Sequence, residues 1–199
     1  MSAPARRRLS SQERREQLLQ VGLELFASRP YDEVWIEEVA TLANVSRGLL
    51  YHYFPTKRDF FAAIVQHEGA QIFKITVTDP KAPVPDQVAA GLDAYLSYAR
   101  EHAHSFRAFH RAADNGDPRV RAAYESNLGR FEQRVLDALR ENAAALGIDR
   151  KPPELVRMAV RGWLAFMVRA THDWLDRPEL PQPDVRDLCV RVLMTAVTA

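Results

Sequence analysis

The most informative part of the chain is residues 39–57, which read VATLANVSRGLLYHYFPTK. Apolar residues recur here at helical spacing, with a short polar interruption around Asn44. The pattern predicts one helix from about Trp35 to Ala43 and a second that begins after Ser46, whose hydroxyl is well placed to cap it. Two helices joined by such a short turn form a helix-turn-helix, in which the second helix can lie in the major groove of DNA.

The second helix has an apolar side and an outward side. Because successive residues of a helix turn by about 100°, Leu50 and Phe54 fall together and are predicted to face the other helices. Gly48 and His52 then point away from the domain. A glycine at the centre of the outward side leaves no side chain where the helix would come closest to base edges. Asn44, in the turn, suits a left-handed backbone.

The polar groups on and beside the outward side divide into two kinds. Arg47 can donate to guanine, His52 can donate or accept at a base edge, and Leu49 can contact a thymine methyl group. Tyr51, Tyr53 and Lys57 end in donors that reach phosphate oxygens and position the helix without reading sequence. The predicted DNA-binding residues are Ser46, Arg47, Gly48, Leu49, Tyr51, His52, Tyr53 and Lys57.

Charge is distributed unevenly along the chain. The net charge is only +1, which does not by itself indicate a nucleic-acid binder. Residues 39–58 nevertheless contain no acid and carry Arg47, Lys57 and Arg58, whereas basic and acidic residues balance beyond residue 62. A local positive surface on a neutral body is what attraction to phosphate requires.

The composition is that of a globular protein, with 47% hydrophobic and 27% charged residues. No apolar run is long enough to span a membrane, and the first residues lack the apolar core of a signal peptide. Cys189 is the single cysteine, so no intrachain disulfide and no thiolate zinc site can form. These features predict a cytoplasmic protein.

Helical spacing continues along nearly the whole chain, and regular β alternation is scarce, so we expect an all-α fold. Ser10 and Glu13 form a predicted capping box for a first helix that ends near Ser28. Its predicted apolar stripe is Leu18, Val21, Gly22, Leu25 and Phe26. Later helices are predicted at about 57–77, 86–101, 104–113, 118–146, 153–176 and 184–198.

The segment 39–57 resembles the signature of the TetR family of one-component regulators, I-A-x-x-A-G-V-S-x-G-x-L-Y-x-H-F-x-x-K. The matching positions are Val39, Ala40, Ala43, Val45, Ser46, Gly48, Leu50, Tyr51, Phe54 and Lys57. Three positions, one of them before the quoted signature, depart from what is usual in the family. Trp35 stands where the family usually has a capping threonine or serine that touches phosphate, Asn44 replaces glycine, and Tyr53 replaces the frequent histidine.

The resemblance covers about residues 10–62 and implies a general plan for the rest. The expected domains are a flexible basic tail at 1–9, a helix-turn-helix domain at 10–56 and a helical ligand-binding and dimerisation domain at 57–199, with helix 57–77 connecting them. In this plan a homodimer binds palindromic double-stranded operator DNA. A small effector bound between the C-terminal helices then releases the homodimer from the operator. The resemblance implies that the regulator is a repressor.

Aromatic residues are plentiful between residues 88 and 175, and several are candidates for lining an effector cavity that takes a small hydrophobic or aromatic molecule. Each one taken singly is better explained as an ordinary core residue, so the prediction concerns the group and not its single members. The candidate ligand-binding residues are Tyr95, Phe106, Phe109, His110, Tyr124, Phe131, Trp163 and Phe166.

Two late segments, 163–170 and 190–197, are apolar over more than one face, which favours a subunit interface over a solvated helix. A monomeric core is the alternative. The predicted interface residues are Met167, Trp174, Leu188, Val192 and Ala196.

Two other functions stay open at this point. His102, His104 and His110, near Glu101 and Asp114, could belong to a helical-bundle metal enzyme or carrier, although no histidine pair has the spacing of a zinc-binding helix. A helix-turn-helix that binds protein and no DNA is the second alternative. Because phosphate-binding glycine loops, nucleophile elbows and dinucleotide-binding turns are missing from the sequence, we expect no enzyme, cofactor or metal.

Overall fold

The computed structural model describes residues 9–29, 31–114, 117–177 and 179–199, and the side chains of all of these except 109–114. Within these ranges the chain is helical and contains no strand, so the predicted all-α class is confirmed. The helices are α1 (Ser11–Ser28), α2 (Ile36–Leu42), α3 (Arg47–Tyr53), α4 (Lys57–Ile75), α5 (Val84–Glu101), α6 (Ala103–Asp114), α7 (Pro118–Glu141), α8 (Ala143–Leu146), α9 (Pro153–Leu175) and α10 (Gln182–Thr198).

The first helix begins with the predicted capping box. Ser10 accepts from the backbone N–H of Glu13, and the Glu13 carboxylate accepts from the backbone N–H of Ser10. The buried residues differ in part from the predicted stripe, since Val21 and Leu25 are only partly buried. The buried set is Leu18, Leu19, Gly22, Leu23 and Phe26. Helices α2, α4 and α6 all pack on α1, and burial from several sides gives a wider apolar face than one stripe.

The turn between α2 and α3 has the predicted geometry. Asn44 has a φ of 52°, in the left-handed region. Ser46 caps α3, because its hydroxyl accepts from the backbone N–H of Leu49 at 3.2 Å. Trp35 precedes α2 and makes no side-chain cap bond, so the first turn of α2 lacks the hydroxyl that a threonine or serine would supply.

Helix α4 joins the two hydrophobic cores. Its first half contributes Phe60, Phe61 and Ile64 to the core formed by α1, α2 and α3. Further along, Ile72 packs on the second core, which α5, α9 and α10 dominate. A rigid helix therefore connects the surroundings of α3 to the C-terminal half of the chain, while a domain boundary at residue 56 stays a prediction.

The predicted helix 118–146 is interrupted at Asn142. The Asn142 side chain donates to the carbonyl of Ala138 at 2.9 Å, and such a local bond competes with helix continuation. The chain resumes as the short helix α8, which ends before Gly147, whose φ of 69° is the left-handed conformation that often ends a helix. Asp117 caps the start of α7 by accepting from the backbone N–H groups of Arg119 and Val120.

Candidate functional site

Helix α3 is held by its apolar side and open on its other side. Leu50 and Phe54 are almost fully buried in the N-terminal core. Gly48 and His52 are exposed, and a methyl group built at Gly48 would meet nothing within 4 Å. Arg47, in the first turn, is also exposed. The helix therefore presents an exposed surface with a glycine at its centre, and no described residue lies over that glycine.

The two tyrosines beside this surface already have partners inside the chain, which the sequence did not reveal. Tyr51 donates its hydroxyl to the Glu37 carboxylate on α2 at 2.8 Å. The hydroxyl of Tyr53 lies 3.0 Å from that of Ser11 at the start of α1. The hydrogen bond between Tyr51 and Glu37 raises the pKa of Tyr51 and lowers the pKa of Glu37. Both tyrosines thus fix α3 against its neighbours.

The predicted phosphate anchor Lys57 is the first residue of α4. Its Nζ lies 4.4 Å from the centre of the Tyr31 ring, within the range of a cation–π contact. Partial burial lowers the pKa of its ammonium group. Trp35 lies at the start of α2 with 67% of its surface exposed. Lys57 is therefore positioned by an aromatic ring, whereas most of the Trp35 side chain is exposed to solvent.

A second candidate site is a cavity of about 170 Å³ enclosed by α4, α5, α6, α7 and α9. Its wall is overwhelmingly apolar. Five of the eight candidate ligand-binding residues line it, namely Tyr95, Phe106, Tyr124, Phe131 and Trp163. Phe166 is not part of this lining, and the side chains of Phe109 and His110 lie outside the described residues.

The cavity contains polar groups that sequence reasoning missed, because they lie on the connecting helix α4 and on α7. Glu68 is buried and accepts from the Tyr98 hydroxyl at 2.5 Å. Burial raises the pKa of the Glu68 carboxyl. Asn127 donates to the backbone carbonyl of Val65 at 3.0 Å, which fastens α7 to α4. Helical spacing identifies such residues as lying on helices but does not tell which helices enclose a common space.

Comparison with protein families covers both halves of the chain. Residues 18–64 match the bacterial regulatory proteins of the tetR family. Residues 84–196 match the tetracyclin repressor-like C-terminal domain. The chain belongs to the TetR family. It is a DNA-binding transcriptional regulator, and the alternatives of a metal enzyme or of a helix-turn-helix that binds only protein find no support among its relatives.

Individual relatives agree with this assignment. The HTH-type transcriptional activator FasR of Mycolicibacterium smegmatis is 26% identical over 179 residues, covering 86% of this chain and 77% of FasR. A tetR-family regulator from Streptomyces coelicolor superposes with a TM-score of 0.79 at 28% identity, covering 96% of this chain and 84% of that one. FadR from Bacillus subtilis, crystallised with stearoyl-CoA, has the same fold, with a TM-score of 0.75, 16% identity and coverage of 92% and 98%.

The five residues predicted for a TetR-type dimer interface separate into two groups. Leu188 is 42% exposed and Ala196 is exposed, while Val192, at four-residue spacing between them, is partly buried against the C-terminal core. Met167 lines the cavity instead, and Trp174 is buried, with its indole donating to the carbonyl of Leu180 at 2.9 Å. The first three therefore keep some exposed surface, whereas the protomer itself buries the other two.

No three histidine, cysteine or acidic side chains come close enough to hold a metal ion within the described part of the chain. The side chains of His110 and Asp114, two of the metal candidates, lie outside that part. Cys189 is buried, and burial raises the pKa of its thiol to about 11. No described helix is both long and apolar enough to cross a membrane.

Proposed function

We propose that this TetR-family regulator is a homodimer that binds a palindromic operator through its two α3 helices and releases it when a small hydrophobic molecule enters the cavity. The observation that carries this proposal is the open surface of α3, with Gly48 at its centre and Arg47 and His52 exposed beside it. In the proposal Arg47, His52 and Leu49 read bases, and Tyr53 and Lys57 contact phosphates. Tyr51 joins them when its hydroxyl exchanges the Glu37 carboxylate for a phosphate oxygen.

The homodimer is supported by an apolar surface on two helices. On α9, Leu155 is 54% and Met158 69% exposed, and a methyl group built at Gly162 on the same helix would meet nothing within 4 Å. On α10, Leu188 and Ala196 are exposed, with the partly buried Val192 between them. Exposed apolar surface of this kind on adjacent helices favours burial against an identical copy. A two-fold dimer then presents two α3 helices to two half-sites.

Coupling between cavity and DNA can run through α4. The helix begins at Lys57, beside the DNA-binding surface, and its residues Glu68 and Ile72 line the cavity. Helix α6 offers a second route, because it lines the cavity through Phe106 and packs against α1. An effector shifts the equilibrium only if it binds better to the conformation whose α3 helices do not fit the operator.

We also propose that the effector releases the protein from DNA and that the protein represses transcription. FasR is an activator, so membership of the family does not by itself determine the sign of regulation. Because α4 lines the cavity and also packs against the end of α3, with the Phe54 and Phe60 ring centres 4.8 Å apart, we expect the effector to weaken operator binding. In this proposal the protein acts on the chromosome in the cytoplasm and catalyses no reaction.

Selection of bound fragments from a genomic pool tests the DNA-binding half of the proposal. The selected fragments should share an inverted repeat, and their affinity should fall steeply as salt concentration rises, because phosphate contacts release counterions. Binding without sequence preference or without salt dependence would contradict the assignment of roles on α3.

A further inference from the structure

The cavity extends along α4. Its lining on that helix runs from Val65 to Thr76, a span of about 16 Å at the rise of an α-helix. A cavity of about 170 Å³ has room for on the order of ten water-sized groups. Over that length, a single chain of atoms fits this volume better than a fused ring system does.

The outer end of the cavity is marked by Arg134 of α7. Its guanidinium donates to the Thr76 hydroxyl at 2.9 Å and to the Phe73 carbonyl at 2.8 Å, and it stacks on the Phe73 ring at 3.4 Å. These bonds hold its position. Arg134 also borders a shallow surface hollow that shares Thr78 and Gln87 with the cavity, so the cavity opens into the hollow at this arginine.

A second arginine lies one turn away on the same helix and borders the same hollow. Arg130 is exposed, and its guanidinium lies 4.2 Å from the centre of the Phe73 ring. In the described part of the chain, neither Arg130 nor Arg134 forms an ion pair with an acid. Burial and the neighbouring Arg130 both lower the pKa of Arg134, as expected for two cations without a counter-charge.

The acids near this opening do not neutralise the pair. Asp137 and Glu141 border the hollow further along α7. The Asp137 carboxylate accepts from Gln133 at 2.7 Å and from Arg140 at 2.8 Å, so it is already engaged. Among the described residues the two guanidinium groups therefore have no paired acid where the apolar cavity meets solvent. Because both are held over one ring, they suit a carboxylate or a phosphate.

We propose that the effector is an amphipathic anion, with an unbranched apolar chain of about ten carbons inside the cavity and its anionic head group at Arg134 and Arg130. This inference rests on the proposed function and names the chemical class of its effector. A fatty carboxylate and an acyl thioester of coenzyme A share this chemistry. The hollow outside the cavity, of about 600 Å³, has room for a head group larger than a carboxylate.

Calorimetric titration of the full-length protein with four probes of one chain length tests the proposal. The probes are decanoate, decanoyl-coenzyme A, decan-1-ol and decylamine. At least one of the anionic probes should bind at least tenfold more tightly than the alcohol, and the amine should bind most weakly. The tighter of the two anionic probes then assigns the head group as carboxylate or phosphate. Equal binding of alcohol and anions, or binding by none of the four, overturns the proposal.

Arginine variants separate the head-group contact from folding. Arg130→Gln is the informative change, because the side chain makes ring contacts but no hydrogen bond in the described part of the chain. It should weaken the anionic probes by about tenfold, as expected for loss of a charge-assisted hydrogen bond. Its affinity for decan-1-ol should not change. Arg121→Gln removes the same charge from an exposed position elsewhere on α7 and should leave all four affinities unchanged.

Operator binding, measured on the same preparations, keeps this inference distinct from the proposed function. A protein that binds DNA and is released by a neutral hydrophobic compound, but not by the anionic probes, retains the function and refutes the anionic effector. A protein that binds no DNA while still binding decanoate through Arg130 refutes the regulatory function and leaves the ligand class standing.

Discussion

Tyr51 of α3 donates its hydroxyl to the Glu37 carboxylate of α2, with 2.8 Å between the two oxygens. This bond ties the proposed reading helix to the helix before it. It also places an acid beside a surface that we propose to contact phosphate, where a negative charge opposes binding. Replacing Glu37 with glutamine keeps an acceptor for Tyr51 and removes the charge.

We expect Glu37→Gln to bind all duplexes more tightly, by about fivefold at low salt, since one contact-distance charge interaction in water amounts to about 1 kcal/mol. Fluorescence anisotropy with labelled duplexes measures the change. Glu125→Gln, at an exposed position on α7, is the charge-matched control and should bind as the wild type does. Weaker binding by Glu37→Gln would show that the carboxylate itself assists the DNA contact.

Arg47 and Lys57 should respond differently to substitution. Arg47→Ala should change which base is preferred within the operator, because a bidentate arginine contact to guanine discriminates by about 1–3 kcal/mol. Lys57→Gln should weaken all duplexes alike and reduce the salt slope by about one. Binding to an operator, its single-base variants and unrelated DNA across a salt series measures both effects. Identical outcomes for the two variants would remove the distinction between reading and anchoring residues.

Glu68 should make stability depend on pH. Burial raises its pKa in the folded state, so between the ordinary carboxyl pKa and that raised value the folded protein binds more protons than the unfolded chain. The free energy of unfolding should therefore fall as pH rises through this window. Glu68→Gln keeps an acceptor for Tyr98 and should be more stable than the wild type at pH 8, with the difference vanishing near pH 4. Urea unfolding at fixed protein concentration measures this, and a difference independent of pH would contradict it.

The apolar residues Leu188, Val192 and Ala196 of α10 should determine the oligomeric state. Leu188→Glu places a charge in the proposed interface and should yield monomers with greatly weakened operator binding, because each half-site is then bound alone. Val77→Glu adds the same charge at another exposed apolar residue and should remain dimeric. Sedimentation velocity distinguishes the two. A Leu188→Glu protein that stays dimeric would place the interface elsewhere.

Much of the N-terminal half could be predicted from sequence because its signals are local. Asn44, Ser46 and the capping box at Ser10 each satisfy backbone groups within a few residues, so their roles follow from chain order alone. The same is true of Leu50 facing inward and Gly48 facing outward, which depend only on the period of one helix.

The C-terminal half was less predictable, because its site depends on contacts between distant helices. Met167 belongs to an apolar segment that fits an interface or a cavity equally well, and only the packing of α9 against α5 and α7 places it in the cavity. Arg134 is a surface residue by composition, yet it closes over the end of α4. Glu68 lies in the same helix as the N-terminal core residues, and nothing in its spacing shows that it reaches the second core.

Three glycines inside described helices have open space around them and allow a direct test of the central claim that the Gly48 side of α3 enters DNA. A methyl group built at Gly48 or at Gly129 of α7 would meet nothing within 4 Å, and both residues are exposed within helices. Leucine at either position should therefore leave the fold intact and stabilise it by about 0.5–1 kcal/mol through helix propensity. Gly162, the third, lies on the proposed dimer surface and is left unchanged in this comparison.

The decisive measurement is operator affinity of Gly48→Leu beside Gly129→Leu, with thermal unfolding recorded for both. We expect both variants to unfold at or above the wild-type temperature. Gly129→Leu should bind the operator normally, and Gly48→Leu should lose at least tenfold in affinity because its side chain occupies the space needed by the base edges. A folded Gly48→Leu protein that binds the operator as tightly as Gly129→Leu would contradict the account.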